Sequence, residues 1–112
     1  MYAQTTVIRV PLGCMDQMRE LIETRYLPVL ETRPGFMGAY FLEQIDDAEA
    51  AHLVVFWRDQ ASVENFSRTG ALEASVRGLA AHLPGVRVQR QGYAVTVKSG
   101  AGAPAMAYQY GR

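Results

Sequence analysis

The residues that could do chemistry are few, and each allows a structural role as well. Trp57, the only tryptophan, ends the apolar run LVVFW just before RDQ, so it either closes the end of a core or forms one wall of a cavity. Tyr40 lies within an apolar segment, where a hydroxyl is more often a structural hydrogen-bonding group than a substrate contact. Arg77 lies beside the apolar stripe of a predicted helix and is expected in solvent; turned inward, it would be the best donor to an oxyanion.

A general base is harder to find. Histidine suits that role near neutral pH, but strand alternation turns His52 away from Trp57. Arg9 is expected on the same face as His52, where it would need a partner such as Glu43 across the sheet. His52 and His82 stand too far apart in the sequence to suggest a metal pair, so the residues predict neither a metal site nor a strong base.

Composition limits the class of protein. A chain of 112 residues, 49% of them apolar, fits one domain with a substantial core. Its 11 basic side chains balance 11 acidic ones, which argues against nucleic acid or an anionic membrane as a partner. The single cysteine, Cys14, allows no internal disulfide and fits a reducing compartment. Because the N-terminal residues resemble neither a signal peptide nor a membrane span, a soluble cytoplasmic protein is expected.

Hydrophobic periodicity divides the chain into two similar halves. Alternating or β-branched segments predict four strands, at residues 5–12, 36–45, 52–57 and 86–97. The helical spacing of an apolar stripe predicts a helix from 15 to about 32, bending near Pro28; the stripe consists of Met15, Met18, Ile22, Tyr26 and Val29. A short helix is predicted over 60–67 with Asp59 as its N-cap. A further helix carries an apolar stripe of Leu72, Val76, Leu79 and Leu83. The turns RPG and LPG end a helix before a strand in each half.

Two strand–helix–strand halves predict a ferredoxin-like α+β fold, with four antiparallel strands covered on one face by helices. This domain is expected over residues 1–98, followed by a Gly/Ala/Pro-rich arm over residues 99–112. The arm contains apolar residues that suggest contact with a partner subunit, namely Met106, Tyr108 and Tyr110.

The middle strands are apolar on both faces. Alternation along strand 36–45 assigns one set of residues to each face, Phe36, Gly38, Tyr40 and Leu42 against Met37, Ala39 and Phe41. An apolar sheet face of this size needs a cover. Homodimerisation through the sheet face supplies that cover, and a monomer with an unusually apolar sheet is the alternative.

These features, in this order, resemble the antibiotic biosynthesis monooxygenase family of dimeric α+β barrel proteins. The resemblance rests on Gly13 after the first strand, on RPGFMGAYF, on the strand-final tryptophan of VVFWRDQASVENF, and on a closing strand after LPG. It covers most of the chain, from Thr5 to Val97. It implies ferredoxin-like protomers that pair into a shared barrel, with Trp57 at the mouth of a pocket between sheet and helices.

The resemblance further implies cofactor-independent oxygenation, by O₂, of an aromatic, anthrone-like compound that becomes a quinone. Such an enzyme needs an apolar slot, a base and donors for the developing phenolate oxygen, but no flavin or metal. The implied substrate pocket contains Trp57, Phe66, Tyr40, Thr6 and Arg77. Of these, Trp57, Arg77 and Tyr40 are the candidates for catalysis, and Phe66 is expected to be core or apolar lining.

Two other functions stand against this one. Haem-degrading relatives carry Asn, Trp and His where this chain has Thr6, Phe66 and Val76, and without that histidine iron has no axial ligand, so haem degradation is not expected. The alternative is a non-catalytic dimeric module that binds a small hydrophobic metabolite, or a family member of unknown reaction. An enclosed cavity between sheet and helices with a buried polar group would favour the enzyme; a cavity filled by side chains would favour the module.

Overall fold

The computed structural model describes residues 1–100, without the side chains of residues 71–73, 75 and 76. In chain order its elements are β1 (Tyr2–Arg9), α1 (Met15–Leu21), a π-helical segment (Ile22–Tyr26), α2 (Leu27–Glu31), β2 (Phe36–Glu43), β3 (Ala50–Trp57), α3 (Gln60–Arg68), α4 (Ala71–His82) and β4 (Arg87–Ala94). The residues of the predicted arm from 101 onward, and the inward orientation predicted for Leu72 and Val76, lie outside this description.

The four strands form one antiparallel sheet in the order β2-β3-β1-β4, which confirms the predicted ferredoxin-like α+β fold. Alternate residues of the central strands, such as Ile8 and Leu53, are buried against the helices. The helices contribute Met18, Ile22 and Leu30 to the same core. We call this side of the sheet the helix side and the opposite side the outer face.

A β-bulge in β2 changes the predicted orientation of Phe36. The register pairs Phe36 with Trp57 and Gly38 with Phe56, so Met37 is the extra residue. Phe36 therefore packs on the helix side, with its ring edge-on to the Trp57 ring and 6.0 Å between the centroids. The prediction that Phe36 shares a face with Gly38 was wrong, because simple alternation does not anticipate an inserted residue.

The first helix, which we define as residues 15–31, contains a π-helical turn immediately before Pro28. Proline has no amide hydrogen, and its ring crowds the carbonyl one turn earlier. The π segment accommodates this change, and the Leu27 N–H donates to the carbonyl five residues before it. Arg25 and Tyr26, the last residues of that segment, lie on the same side of the helix.

Asp59 caps α3, as the sequence predicts. Its Oδ1 accepts hydrogen bonds from the backbone N–H of Ser62 at 2.9 Å and from the Ser62 hydroxyl at 2.7 Å. The buried Ser62 packs against the RPG turn, where Gly35 has a φ of +82°. A β-carbon on Gly35 would lie 2.5 Å from the Ser62 β-carbon, so only glycine lets the turn approach α3 this closely.

The strand boundaries differ from the predicted ones by a few residues. Strand β1 covers Tyr2–Arg9 rather than residues 5–12, because its pairing with β3 runs from Tyr2 opposite Trp57 to Arg9 opposite Ala50. Register depends on partners in space, which the local pattern does not contain. Within residues 1–100, no helix combines the length and the apolar character needed to cross a membrane.

Candidate functional site

A cleft of about 410 Å³ opens between the first helix and α4, and we call it the helix cleft. Its volume falls in the range of about 300–1,000 Å³ that is usual for small-molecule sites. The walls combine apolar side chains with a phenol, an imidazole and two guanidinium groups. The lining residues are Leu21, Arg25, Tyr26, Val29, Arg33, Ala74, Gly78, Leu79 and His82.

The two helices run in opposite directions along the cleft. The side chain of Gln17, near the start of the first helix, donates to the backbone carbonyl of His82, at the end of α4, over 3.1 Å. The guanidinium of Arg33, past the end of the first helix, lies 6.0 Å from the ring centroid of Phe66, which precedes α4. His82 and Arg33 therefore stand at opposite ends of the cleft, which is roughly 12 Å long by the helical rise from Ala74 to His82.

The RPG turn positions Arg33. The backbone N–H of Arg33 donates to the Leu30 carbonyl at 3.0 Å, and its own carbonyl accepts the N–H of Phe36 at 3.3 Å. These two bonds hold the residue between the end of the first helix and the start of β2. The side chain is thereby directed over Phe66 and along the cleft wall.

A second and much smaller space, the inner cavity, lies beneath the helix cleft. Tyr26 and Leu79 line both spaces, while Thr6 and Arg90 reach the inner cavity from the sheet. Its volume of about 10 Å³ is close to what a single water molecule needs. Beneath the helix cleft, the space between the sheet and the helices is thus nearly filled by side chains. A separate opening of about 270 Å³ lies between the sheet and α3, lined by Tyr2, Gln4, Val63 and Gly92 among others. The larger opening lies between two helices, whereas the resemblance implied a pocket between sheet and helices.

Three N–H groups on the helix side of the sheet are buried without a hydrogen-bond partner among the described residues. They are the indole Nε1 of Trp57 and the Nε atoms of Arg33 and Arg90. The ring of Phe66 lies next to two of these three groups. It is below the Arg33 guanidinium, and its centroid lies 5.3 Å from that of the Trp57 ring, with an angle of 32° between the two ring planes. Buried donors are usually bonded, so packing alone does not account for this grouping.

The helix cleft is positively charged. Arg25 and Arg33 line it, Arg90 lies beneath it, and none of the acidic side chains that the structure describes lines either space. Cationic groups facing an apolar, partly enclosed space attract anions more strongly than they would in open water, because the effective dielectric is lower there.

Four arginines elsewhere in the described chain, Arg9, Arg19, Arg58 and Arg68, have carboxylate partners. Arg9 pairs with Asp47 at 2.7 Å, so the predicted pair of Arg9 with Glu43 was wrong. Asp47 lies in the β2–β3 turn beside the end of β1, which alternation along the strands does not reveal. Glu43 instead accepts two hydrogen bonds from Arg19, and these hold the pKa of Glu43 below its ordinary value.

Tyr26 is a neutral phenol at physiological pH. It is buried between the helix cleft and the inner cavity, and burial raises its pKa to about 12, against the opposing effect of the positive charge of Arg90. Its hydroxyl can therefore donate a hydrogen bond to an oxygen that gains negative charge. It cannot serve as a general base near neutral pH.

Among the described residues that line the helix cleft, His82 is the one whose side chain can accept a proton. Its Nδ1 lies 2.8 Å from the carbonyl oxygen of Gly78, one turn earlier in α4. A carbonyl oxygen only accepts hydrogen bonds, so in the neutral ring Nδ1 carries the hydrogen and Nε2 keeps its lone pair. Gly78 also leaves room, since a β-carbon there would have no atom within 4 Å among the described residues.

The structure brings some of the predicted site residues together and separates others. Trp57 and Phe66 stack, and Thr6 lines the inner cavity on the same side of the sheet. Tyr40 lies on the outer face with 61% of its surface exposed, so it is remote from the helix cleft. Arg77 is exposed on α4 and lines neither space.

Sequence reasoning missed the polar residues of the helix cleft. Tyr26 was assigned to the apolar stripe of the first helix, and Arg33 was used only as part of the RPG turn signal. Arg90 carried a usable signal, because alternation in β4 places it on the same face as the partly buried Val88. A charged residue on the core side of a strand is uncommon and indicates a partner or a function.

The outer face exposes apolar side chains. Val7, Leu42 and Tyr93 are each about half exposed, and Phe56 is partly buried between the strands. His52 lies on this face as well, which confirms its predicted orientation away from Trp57. Apolar residues are thus present on both sides of the sheet.

The fold and the cleft together define a ferredoxin-like α+β protein with a cleft of the size of a small molecule. Residues 1–78 match the family model of the antibiotic biosynthesis monooxygenases, so the chain belongs to that family. The resemblance identified from the sequence motifs is thereby confirmed. A comparison with curated proteins gives no match.

Solved structures of several proteins share the fold. A candidate antibiotic biosynthesis monooxygenase from Deinococcus radiodurans superposes with a TM-score of 0.75 at 10% identity, covering 92% of this chain and 100% of that one. SnoaB, a cofactor-independent oxygenase from Streptomyces nogalater, gives 0.72 at 13% identity, covering 87% and 94%. MhuD, a heme-degrader from Mycobacterium tuberculosis with two hemes bound in its active site, gives 0.65 at 21% identity, covering 89% and 100%. At these identities the likeness establishes the fold alone.

Proposed function

We propose that this protein is a cofactor-independent monooxygenase that oxidises an aromatic, anthrone-like compound to a quinone with O₂. The observation that carries the proposal is the helix cleft, in which apolar walls surround a neutral phenol, guanidinium groups and one imidazole. Membership of the antibiotic biosynthesis monooxygenase family supports it. So does the similarity in fold to SnoaB, which is itself a cofactor-independent oxygenase.

The proposed reaction needs an acidic C–H bond and molecular oxygen only. Loss of a proton from the CH₂ carbon gives a resonance-stabilised carbanion, which transfers an electron to O₂ and then forms a C–O bond with the reduced oxygen. Protonation gives a hydroperoxide. Its O–O bond breaks as the remaining hydrogen leaves the carbon, so that one oxygen atom stays as the new carbonyl and the other departs as water.

Each step can be assigned to groups of the cleft. His82 receives the proton through Nε2, since Nδ1 is occupied by the Gly78 carbonyl. Tyr26 donates to the ring oxygen as it gains negative charge, and the positive charge of Arg90 lies behind it. Trp57 and Phe66 line neither space; their stacked rings lie behind Arg33 and support that end of the cleft.

Oxygen uptake tests the proposal. The protein, treated with a chelator and given no cofactor, is mixed with an anthrone, with and without a ring carboxylate, and compared with buffer alone. We expect one O₂ to be consumed for each quinone formed, at a rate well above that in buffer. A rate equal to the buffer rate with both compounds contradicts the proposal.

A matched pair of variants connects the activity to the cleft. Gly78→Leu places a side chain in the open middle of the helix cleft, whereas Ala80→Leu adds the same side chain on the exposed side of α4. We expect Gly78→Leu to lower the rate at least about 10-fold, the effect of losing roughly 1.4 kcal/mol of binding, and Ala80→Leu to leave it unchanged. A folded Gly78→Leu protein with full activity would place the reaction elsewhere.

One observation favours the second candidate function, a non-catalytic module that binds a small hydrophobic metabolite. The inner cavity has only about 10 Å³, so the helix cleft, which is open on one side, must hold most of the ligand. Reactive intermediates are usually protected by exclusion of water. Binding of anthrones without any O₂ uptake would select this second function.

We further propose a cytoplasmic homodimer that forms through the outer face. Support comes from the apolar side chains exposed there, Val7 in the central strand β1 among them, and from the single cysteine of the chain. Sedimentation at micromolar concentration should give the mass of a dimer. Val7→Lys, which introduces two facing charges in such a dimer, should give a folded monomer, and a wild-type protein that sediments as a protomer contradicts the assembly.

A further inference from the structure

The three arginines around the helix cleft differ from four arginines elsewhere in their partners. Arg9, Arg19, Arg58 and Arg68 each lie within ion-pair distance of a carboxylate. For Arg25, Arg33 and Arg90, by contrast, none of the described carboxylates lies at that distance. Arg77 and Arg87 also have no ion pair with a described side chain, but both are exposed to solvent, whereas Arg33 and Arg90 are partly buried at the cleft and beneath it.

The burial of Arg33 and Arg90 also has a cost in free energy. Their Nε–H groups have left water and have no hydrogen-bond partner among the described residues. A donor in this condition loses the bonds that it made to water in the unfolded chain, and an acceptor brought by a ligand restores them. A charged acceptor restores the most free energy, because guanidinium and carboxylate form short, often bidentate hydrogen bonds.

We infer that the ligand of the helix cleft is an anion, an aromatic ring system bearing a carboxylate that is received by Arg33. The inference rests on the proposed function, because it specifies the substrate class for the same cleft. The dimensions fit: the cleft is roughly 12 Å long by helical rise, which suits a three-ring body with a carboxylate at one end.

The positions of the polar groups give the ligand a direction. Arg33 stands at one end of the cleft, His82 at the other, and Tyr26 lines the wall between them. With the carboxylate at Arg33, the rings lie along Leu79 and Val29, and the reacting carbon lies toward His82. Arg25 adds positive charge at the exposed rim, and Arg90 adds it from below.

Binding measured under nitrogen tests the inference without any turnover. The probes are anthracene-2-carboxylate and its neutral analogue anthracene-2-carboxamide, which has the same rings and nearly the same shape. We expect the carboxylate to bind at least about 10-fold more tightly, as a charge-assisted bond to a partly buried arginine implies. Equal affinity for the two probes in the wild-type protein overturns the inference, whatever happens with the variants.

Arg33→Met is the decisive variant, since methionine keeps an unbranched apolar stem over Phe66 and removes only the charge and the donors. We expect it to lose most of the preference for the carboxylate while its affinity for the carboxamide changes less than about two-fold. Arg68→Met, on the exposed side of α3, is the matched control and should keep the full preference. A folded Arg33→Met protein that keeps the preference, or that loses both probes equally, overturns the assignment.

The two proposals fail in different ways. A strong preference for the carboxylate without O₂ uptake by a carboxylated anthrone leaves the anion site standing and removes the oxygenase. Oxygen uptake with no preference for the carboxylate supports the oxygenase and removes the anion site. If Arg33→Met does not fold, Arg90→Met supplies the second test, with a smaller expected loss of preference because Arg90 acts from beneath Tyr26.

Discussion

Tyr26 gives the sharpest test of how the cleft is built. Its phenol is almost completely buried between the helix cleft and the inner cavity, and burial raises its pKa from 10.0 to about 12. Replacing Tyr26 by Phe keeps the ring and removes the ionisable group. The variant should therefore be more resistant to alkali than the wild-type protein.

The sign follows from proton binding. Below pH 10 the tyrosine is protonated in both the folded and the unfolded chain, so its contribution to stability is fully present. Between pH 10 and pH 12 the unfolded chain loses the proton while the folded chain keeps it, which favours unfolding. A rise of about two units corresponds to roughly 2–3 kcal/mol lost from the free energy of unfolding over that interval.

Urea unfolding at pH 8, 10, 11 and 12, followed by circular dichroism, measures the effect. The other tyrosines, lysine and cysteine also titrate in this range, so the informative quantity is the difference in unfolding free energy between Tyr26→Phe and the wild-type protein. We expect that difference to shift by roughly 2–3 kcal/mol in favour of the variant between pH 9 and pH 12. Tyr40→Phe, at an exposed site on the outer face, should show almost no shift.

Parallel curves for the wild-type and Tyr26→Phe proteins would refute this reasoning. Such a result would mean that the phenol reaches water in the folded protein and can ionise freely. Tyr26 would still be a neutral hydrogen-bond donor near pH 7, but the burial that closes the inner cavity around it would be lost.

Two further predictions concern the turn and the cap that support Arg33 and α3. Gly35→Ala should destabilise the fold by about 1–3 kcal/mol more than Gly13→Ala. Both glycines have φ near +80°, but only the new β-carbon at Gly35 meets Ser62. Equal losses of unfolding free energy in urea would contradict the close contact. Asp59→Ala should lower Tm at pH 7 by removing the N-cap. Hydrogen bonds from Ser62 hold the pKa of Asp59 below its ordinary 3.8, so the deficit should shrink as pH falls below about 4, and a deficit independent of pH would contradict the cap.

Elements with a strong local pattern were predictable from the sequence. The apolar stripe of the first helix, the two Pro-Gly turns and the cap at Asp59 each depend on neighbours within one or two turns of chain. The bulge at Met37 and the pairing of Arg9 with Asp47 were not predictable in this way. Both depend on a second strand or turn whose position in space follows only from the complete sheet.

The same distinction between local pattern and tertiary structure applies to the candidate site. The sequence by itself determined the ferredoxin-like fold, the family and the apolar surroundings of Phe66, because burial of apolar residues follows from periodicity. It left Trp57 open between the end of the core and the wall of a cavity. Only the tertiary structure decided that Arg33, Tyr26 and His82 share one cleft and that Tyr40 does not. The physical reason is that a cleft between two helices consists of side chains distant in sequence, and neither spacing nor composition records which faces of two helices are brought together.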